Sequence, residues 1–307
     1  MKVYELKRAS LYPNLIINYN CVKQPEVLDI YSKTKDERMI AKRTGDHGKN
    51  ATYKLILNST SGLIDNKHSW LYYPGGAMKM RLMGQLIMTK TMEEVALAGF
   101  RVVSLNTDGS EVIVERDRLE EYYKIVDNVG KQFNLEFEHE IYKKIVYKNV
   151  NSYVAVKDNG KIKQKGAFFI TNPNIGDSCN HLIIQKALIE YFVNGVKPED
   201  YITRKGHHIY DFCLSKKVDR SYKVVFGDKI LPQRLNRFYV SKKGKYIYKR
   251  RKNKNTNILK DWGVQIYNNH VDKPITEYNI DYRFYIHQVN KVIQEIELPN
   301  KIQLQLF

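Results

Sequence analysis

A tight polar turn between two runs of β-branched residues is the first place in this sequence where chemistry can be located. The turn is Asn106-Thr107-Asp108-Gly109, flanked by residues 102–105 and 110–115. An Asp-Gly pair between such runs predicts a β-hairpin, so we expect Asp108 at its tip. A carboxylate on a rigid tip can bind a divalent metal, and phosphoryl-transfer sites need such ligands. An ordinary surface hairpin would have the same sequence, so this turn alone leaves both interpretations open.

The charge of the chain indicates a polyanionic partner. Its 307 residues include 51 Lys and Arg against 33 Asp and Glu, a formal net charge of +18. Such an excess is typical of proteins that bind nucleic acid. The 23 tyrosines suit stacking on bases and sugars as well as core packing. These bulk properties fit a structural nucleic-acid binder and an enzyme equally.

The remaining bulk features concern compartment and size. The hydrophobic content of 43% can build one large domain or two ordinary ones. No run of about 18 apolar residues predicts a membrane span, and the N-terminus has no secretory apolar region. Cys21, Cys179 and Cys213 are too far apart for a disulfide framework or a metal site. We expect a cytoplasmic protein without a membrane partner, in the host cytoplasm if the chain is viral.

The elements that would position Asp108 follow from the patterns in chain order. Residues 3–20 predict a strand, a turn at Tyr12-Pro13 and a helix, and residues 21–52 predict two short helices joined near 44–49. A long amphipathic helix at about 77–98 ends at Gly99 and leads into the hairpin. Another helix is expected at about 117–132.

Two sets of polar side chains stand at regular spacing. Lys54, Asn58 and Ser61 share one face of a predicted helix. A nucleoside triphosphate would supply hydrogen-bond partners for these three side chains. Lys161, Lys163 and Lys165 alternate on a predicted strand, after Lys143 and Lys144. The alternating lysines could protect an edge strand or form a track for a phosphate backbone, and the pattern leaves both open.

The last third of the sequence has a different pattern. An apolar helix is predicted at 182–194, ending at Gly195, and a mixture of helices and strands follows it. Residues 242–254 hold the densest basic run, with two tyrosines within it. We place a domain boundary near 175–180.

Four of these segments, in this order, resemble motifs of the family B DNA polymerases, and of phage enzymes in particular. Ser10-Leu11-Tyr12-Pro13 resembles the core of motif A, and residues 54–62 resemble motif B, K-x-x-x-N-S-x-Y-G. Asn106-Thr107-Asp108-Gly109 resembles motif C, usually D-T-D-S. Asn151-Ser152-Tyr153, with the strand at 160–166, resembles the region that grips the primer. The resemblance covers nearly the whole chain, but only the C-terminal half of such a polymerase.

The resemblance implies a site for two Mg²⁺ ions, deoxynucleoside triphosphates and primer–template DNA. Asp108 would bind the metal ions, and Tyr12, next to Leu11, would lie under the sugar of the nucleotide. The remaining implied contacts are Lys42 and Lys54 to the triphosphate, Asn58 near the base, and Lys143, Lys144, Tyr153, Lys161, Lys163 and Lys165 along the DNA.

The sequence departs from the family pattern at three positions. The motif A aspartate is expected three residues before Ser10, where this chain has Lys7, and a lysine cannot bind Mg²⁺. Glu5 lies on the same face of the strand and is the candidate substitute. Asn106 replaces the first aspartate of motif C, and Ser61 replaces the tyrosine of motif B.

The resemblance predicts an α+β fold with three parts. These are a palm at 1–21 and 61–175 with an antiparallel sheet, flanking helices and primer-gripping strands at 141–170, short helical fingers at 22–60, and a mixed, basic thumb at 176–307. The leading hypothesis is a DNA-templated DNA polymerase with a two-metal mechanism, whose N-terminal and exonuclease half comes from a separate polypeptide. The second is an impaired remnant that binds primer–template DNA. The third is a basic nucleic-acid binder without polymerase ancestry.

Overall fold

The chain folds into two compact units. The computed structural model describes residues 2–8, 11–106, 109–168, 170, 180–252, 254–271 and 273–304. Unit 1 comprises Met1–Lys144 with Lys157–Asn159, and unit 2 comprises Ile145–Val156 with Gly160–Phe307. Helices and antiparallel sheets occur together in the chain, as the predicted α+β class requires.

Unit 1 is built from an antiparallel sheet and five helices. Its elements are β1 (Lys2–Arg8), α1 (Leu11–Asn18), α2 (Pro25–Thr44), α3 (His47–Asp65), α4 (Pro74–Leu97), β2 (Arg101–Leu105), β3 (Gly109–Val114), α5 (Leu119–Gln132) and β4 (Phe137–Asn149), which continues into unit 2. The strand order in this unit is β2-β3-β1-β4. The predicted hairpin at 102–115 and the predicted helices near 77–98 and 117–132 are confirmed.

One face of the unit 1 sheet is covered by two helices. Successive residues of a strand point to opposite faces, so Tyr4 and Leu6 lie on the face opposite to Glu5. Tyr4 and Leu6 pack with Val112 of β3 in one buried cluster. The helices contribute Met92 and Val95 of α4 and Tyr122 and Val126 of α5. The other face of β1 carries Glu5.

Helices α2 and α3 form a hairpin. Gly45, with φ 75°, ends α2, and the Asp46 carboxylate accepts a hydrogen bond from the Lys49 amide over 3.0 Å at the start of α3. The Tyr31 hydroxyl donates to the Leu57 carbonyl over 2.8 Å and joins the two helices. The predicted turn is confirmed, but the predicted short helices are wrong. Helix α2 has 20 residues and helix α3 has 19. Helix α3 continues from its Asp46 cap to Asp65, through the segment that resembles motif B.

Unit 2 contains the end of β4, two further sheets and four helices among its described residues. Its elements are β5 (Ser152–Lys157), β6 (Ile162–Lys165), α6 (Leu182–Asn194), α7 (Pro198–Ile202), α8 (Ile209–Phe212), β7 (Leu214–Lys217), β8 (Lys223–Phe226), β9 (Lys229–Leu231), β10 (Leu235–Lys245), β11 (Ile247–Arg251), β12 (Lys254–Asn257), β13 (Val264–Ile266) and α9 (Tyr282–Leu304). The sheets have the orders β4-β5-β6, β13-β10-β7 and β12-β11-β8-β9. The helix predicted at 182–194 is confirmed, with Gly195 at φ 72° after it.

A buried tyrosine in the core of unit 2 forms hydrogen bonds with two other elements. The Tyr285 hydroxyl on α9 donates to the Phe212 carbonyl over 2.8 Å and accepts from the Val240 amide over 2.9 Å. Both groups are thereby satisfied away from water, which avoids the cost of an unpaired buried polar group. Helix α9 is fixed in this way against α8 and β10.

His181 makes the stability of unit 2 sensitive to acid. It is buried, its Nδ1 lies 2.9 Å from the Phe212 carbonyl, and burial lowers its pKa from 6.5 to about 4. Because the pKa is lower in the folded chain, the stabilisation is present above pH 6.5 and is lost as the pH falls towards 4. We expect the natural chain to lose about 2 kcal/mol more than His181→Gln between about pH 7 and about pH 4.5.

Urea unfolding at the two pH values measures this difference. Trp262 packs against Phe284 in unit 2, with ring centroids 5.2 Å apart, so its fluorescence in a Trp70→Phe background reports on this unit. Equal pH dependence of the two proteins would contradict the assignment to His181.

Candidate active-site face of unit 1

The strand register places position 7 beside the hairpin that resembles motif C. Lys7 of β1 lies opposite Gly109 of β3 and opposite Glu138 of β4. The Asn106 amide donates to the Gly109 carbonyl over 2.8 Å, which closes the base of the hairpin. Asp108 lies outside the described residues, so its role as a metal ligand stays a prediction. Position 7 and the hairpin are thus neighbours at one end of the sheet.

The next row of the sheet on this face is acidic. Glu5 lies opposite Glu111 of β3 and Glu140 of β4. Glu5 is only 5% exposed, and Glu111 is buried too. Facing side chains on adjacent strands lie close together, and like charges in such a row are destabilising. The three carboxylates of this row therefore need hydrogen-bond donors or positive charges beside them.

Tyr142 and Lys157 supply those donors. The Tyr142 hydroxyl lies within hydrogen-bonding distance of the Glu5 carboxylate and, at 2.7 Å, of the Glu140 carboxylate, so the two carboxylates share its single proton. Lys157 forms an ion pair with Glu140. Burial, together with the hydrogen bonds to Glu5 and Glu140, raises the pKa of Tyr142 far above its usual range. Tyr142 therefore stays protonated and holds the two carboxylates in place. Glu138, Glu140 and Tyr142 were not predicted as site residues, although their alternation on β4 places them on one face.

The described residues do not fit a two-metal centre. Mg²⁺ requires nearly octahedral oxygen ligands and usually keeps several waters. The carboxylate of Glu5 is buried and accepts the Tyr142 hydroxyl, and position 7 carries a lysine. Within the described ranges, no three His, Cys, Asp or Glu side chains are arranged to hold a metal ion. Glu5 as a metal ligand stays a prediction.

Leu11, Tyr12 and Pro13 of the segment that resembles motif A begin helix α1, and Ser10 lies outside the described residues. Leu11 is buried in the same cluster as Leu15 and Ile16, and Tyr12 is half-buried against that cluster. The backbone at Leu11 is fixed by this packing, while Tyr12 keeps part of its ring accessible. Their predicted contacts to a nucleotide stay predictions.

The α2–α3 hairpin carries the three predicted nucleotide ligands of the fingers. Lys54 and Asn58 are exposed and one turn apart on α3. Lys42, near the end of α2, has its Nζ 2.7 Å from the Glu138 carboxylate. Glu138 lies opposite Lys7, so this ion pair joins the helical hairpin to the position-7 row of the sheet. A triphosphate that binds Lys42 would compete with Glu138.

The predicted DNA-binding residues lie in both units. In unit 2, Tyr153 lies opposite Lys165, and the Nζ atoms of Lys163 and Lys165 lie 5.4 Å and 5.8 Å from the centroid of its ring. The structure thus brings Tyr153 and these alternating lysines to one place, and the exposed Lys161 comes directly before their strand. In unit 1, Lys143 and Lys144 are exposed neighbours on β4, so they point to opposite faces of the sheet.

Comparison with solved structures shows a polymerase fold. A family B DNA polymerase from the hyperthermophilic archaeon Pyrobaculum calidifontis matches with a TM-score of 0.57 over 96% of this chain, at 12% sequence identity. The chain shares its fold with a family B DNA polymerase. It spans 44% of the length of that polymerase. No protein-family profile and no curated protein sequence matches the chain. None of the described helices has the length and apolar character needed to cross a membrane.

Proposed function

We propose that this chain is the portion of a template-directed DNA polymerase that binds primer–template DNA and deoxynucleoside triphosphates, and that it does not catalyse nucleotidyl transfer by itself. The observation that carries the proposal is the pairing of Lys7 with Gly109, next to Asp108. A polymerase-type sheet then has a cation where the resemblance places a metal-binding carboxylate. DNA binding does not need that carboxylate, whereas two-metal chemistry does.

We further propose the three parts that the resemblance implies. The sheet of unit 1, with α4 and α5 behind it, serves as the palm, and the α2–α3 hairpin serves as the fingers. Residues 176–307 serve as the thumb. The net charge of +18 and the group of Tyr153, Lys163 and Lys165 support binding to the sugar–phosphate backbone.

Binding of primer–template DNA tests the first half of the proposal. Fluorescence anisotropy with a labelled hairpin that has a recessed 3′ end is expected to show binding that weakens steeply with salt, because lysines release counterions from the phosphates. The double variant Lys163→Gln, Lys165→Gln is expected to reduce the salt slope by about two. Lys124→Gln, Lys131→Gln on α5 is a matched control with the same change of charge. An equal effect of both double variants would contradict a specific track at Tyr153.

A second candidate is the split DNA polymerase that the resemblance implies, in which a second polypeptide supplies an N-terminal and exonuclease half. The chain spans 44% of the length of the similar polymerase. This candidate predicts that primer extension appears only when the second polypeptide from the same source is added, and that Asp108→Ala abolishes it. Extension that survives Asp108→Ala would contradict it.

A further inference from the structure

Three nearly parallel rings lie at the surface of unit 2, outside all four segments that resemble polymerase motifs. They are His208, Tyr210 and His270, which we call the ring cluster. The ring of His208 stacks on Tyr210 with centroids 4.8 Å apart and an interplanar angle of 19°. The His270 ring is within 17° of Tyr210 and within 2° of His208. Both histidines are exposed, and Tyr210 is partly buried.

The orientation of the rings is fixed by hydrogen bonds and packing. The Tyr210 hydroxyl lies 3.1 Å from Nδ1 of His270, and the Tyr210 amide donates to Nδ1 of His208 over 3.3 Å. Behind the cluster, the buried ring of Tyr267 meets Tyr210 edge-on, with centroids 5.5 Å apart. The exposed faces of the two histidines are therefore held in place before any ligand arrives.

Cations and a pocket lie next to the ring cluster. The guanidinium of Arg237 lies 4.8 Å from the centroid of the Tyr210 ring. Tyr267 also lines a pocket of about 570 Å³, together with Lys243, Lys273 and several amide side chains. One acidic side chain, Glu277, lines the pocket as well. The surroundings therefore favour a ligand with phosphate groups.

The exposure of the rings separates a binding site from ordinary packing. Aromatic rings stabilise a core by burial, which the exposed His208 and His270 do not provide. Among the described side chains, the two histidines have no third metal-binding residue with them. Flat exposed rings beside cations are instead the arrangement that binds unpaired bases, because every base has a face that can stack.

We propose that the ring cluster binds unpaired bases of single-stranded DNA, with Arg237, Lys243 and Lys273 facing its phosphates. The ring cluster shares no residue with the primer–template track at Tyr153, and its proposed role does not depend on the proposed function. Its ligand is a strand without a complementary partner, so duplex ends and primers are not required.

The experiment measures the affinity of a labelled oligothymidylate of about ten nucleotides by fluorescence anisotropy. His208→Ala and His270→Ala are each expected to weaken binding about five- to tenfold, since they remove a stacking surface. His208→Phe keeps such a surface and is expected to retain most of the affinity. His287→Ala, an exposed histidine on α9 of the same unit, is the matched control and is expected to bind as the natural chain does.

A blunt-ended duplex hairpin in the same assay separates this site from general DNA binding. Unchanged duplex affinity in the alanine variants, with weaker binding of the single strand, supports the proposal, and failure of all duplex binding would bear on the proposed function alone. Equal single-strand affinity of the natural chain and the His208→Ala, His270→Ala double variant would overturn it. So would a parallel loss for single strand and duplex in folded variants.

Discussion

Lys7→Asp is expected to give this chain Mg²⁺-dependent primer extension at least about 10³-fold faster than the natural chain. Lys7 lies opposite Gly109, the residue after Asp108, so an aspartate there would add a carboxylate beside the hairpin of motif C. A lysine offers no oxygen ligand, and its positive charge repels a divalent cation. A metal that polarises a phosphoryl oxygen contributes several kcal/mol, and each 1.36 kcal/mol corresponds to a tenfold change in rate.

Two controls show whether the carboxylate is the cause. Lys7→Ala removes the positive charge without adding an oxygen ligand and is expected to stay inactive. Lys7→Asp combined with Asp108→Ala is expected to lose the gain. The prediction is contradicted if Lys7→Ala gains as much as Lys7→Asp, or if Lys7→Asp binds primer–template DNA without extending it.

Gly244→Ala is expected to destabilise unit 2 by about 3 kcal/mol. Two strands of the sheet cross closely here, since a Cβ on Gly244 would lie 2.3 Å from the carbonyl carbon of Gly263 and 2.4 Å from the Val264 nitrogen. These are backbone atoms, so the clash cannot be relieved by turning a side chain. The register of β10 with β13 also shifts between Val240 and Lys245, at this crossing. Methyl insertion would force the two strands apart.

Thermal or urea unfolding, followed by circular dichroism, measures the loss. Gly62→Ala is the control, because a Cβ on Gly62 meets nothing within 4 Å and the residue lies inside helix α3. Alanine there is expected to stabilise the chain by about 0.5–1 kcal/mol. A difference of no more than about 0.5 kcal/mol between the free energies of unfolding of Gly244→Ala and the natural chain is the size expected of a neutral surface change. That result would contradict the claim that the close approach of the two strands requires glycine.

The elements of unit 1 could be predicted because each one has a local pattern. The Asp-Gly pair predicted the β2–β3 hairpin. Gly99 predicted the end of the long helix, and it follows α4 with a φ of 85°. The alternation of Lys163 and Lys165 predicted one strand face, and both approach the ring of Tyr153. Hydrophobic periodicity and turn-forming residues can be recognised within a few residues of the sequence.

The acidic row could not be predicted, because it depends on register between distant strands. Glu5, Glu111 and Glu140 come from three strands, and a shift by one residue would move each side chain to the other face. The sequence alone made Glu5 a candidate metal ligand. The folded chain shows that Glu5 is buried in the row next to position 7 and lies against the Tyr142 hydroxyl. The ring cluster was missed for the same reason, since His208 and His270 meet only in the folded chain.

The measurement that tests the central claim most directly is single-turnover primer extension by the natural chain, on a labelled primer–template with Mg²⁺ and all four deoxynucleoside triphosphates. The protein is used at a concentration that anisotropy shows to saturate the DNA. We predict complete binding and no added nucleotide, because position 7 offers a lysine and Glu5 is held by Tyr142. Extension that both Asp108→Ala and Glu5→Gln abolish would contradict this account and would establish Glu5 as the second carboxylate of a working site.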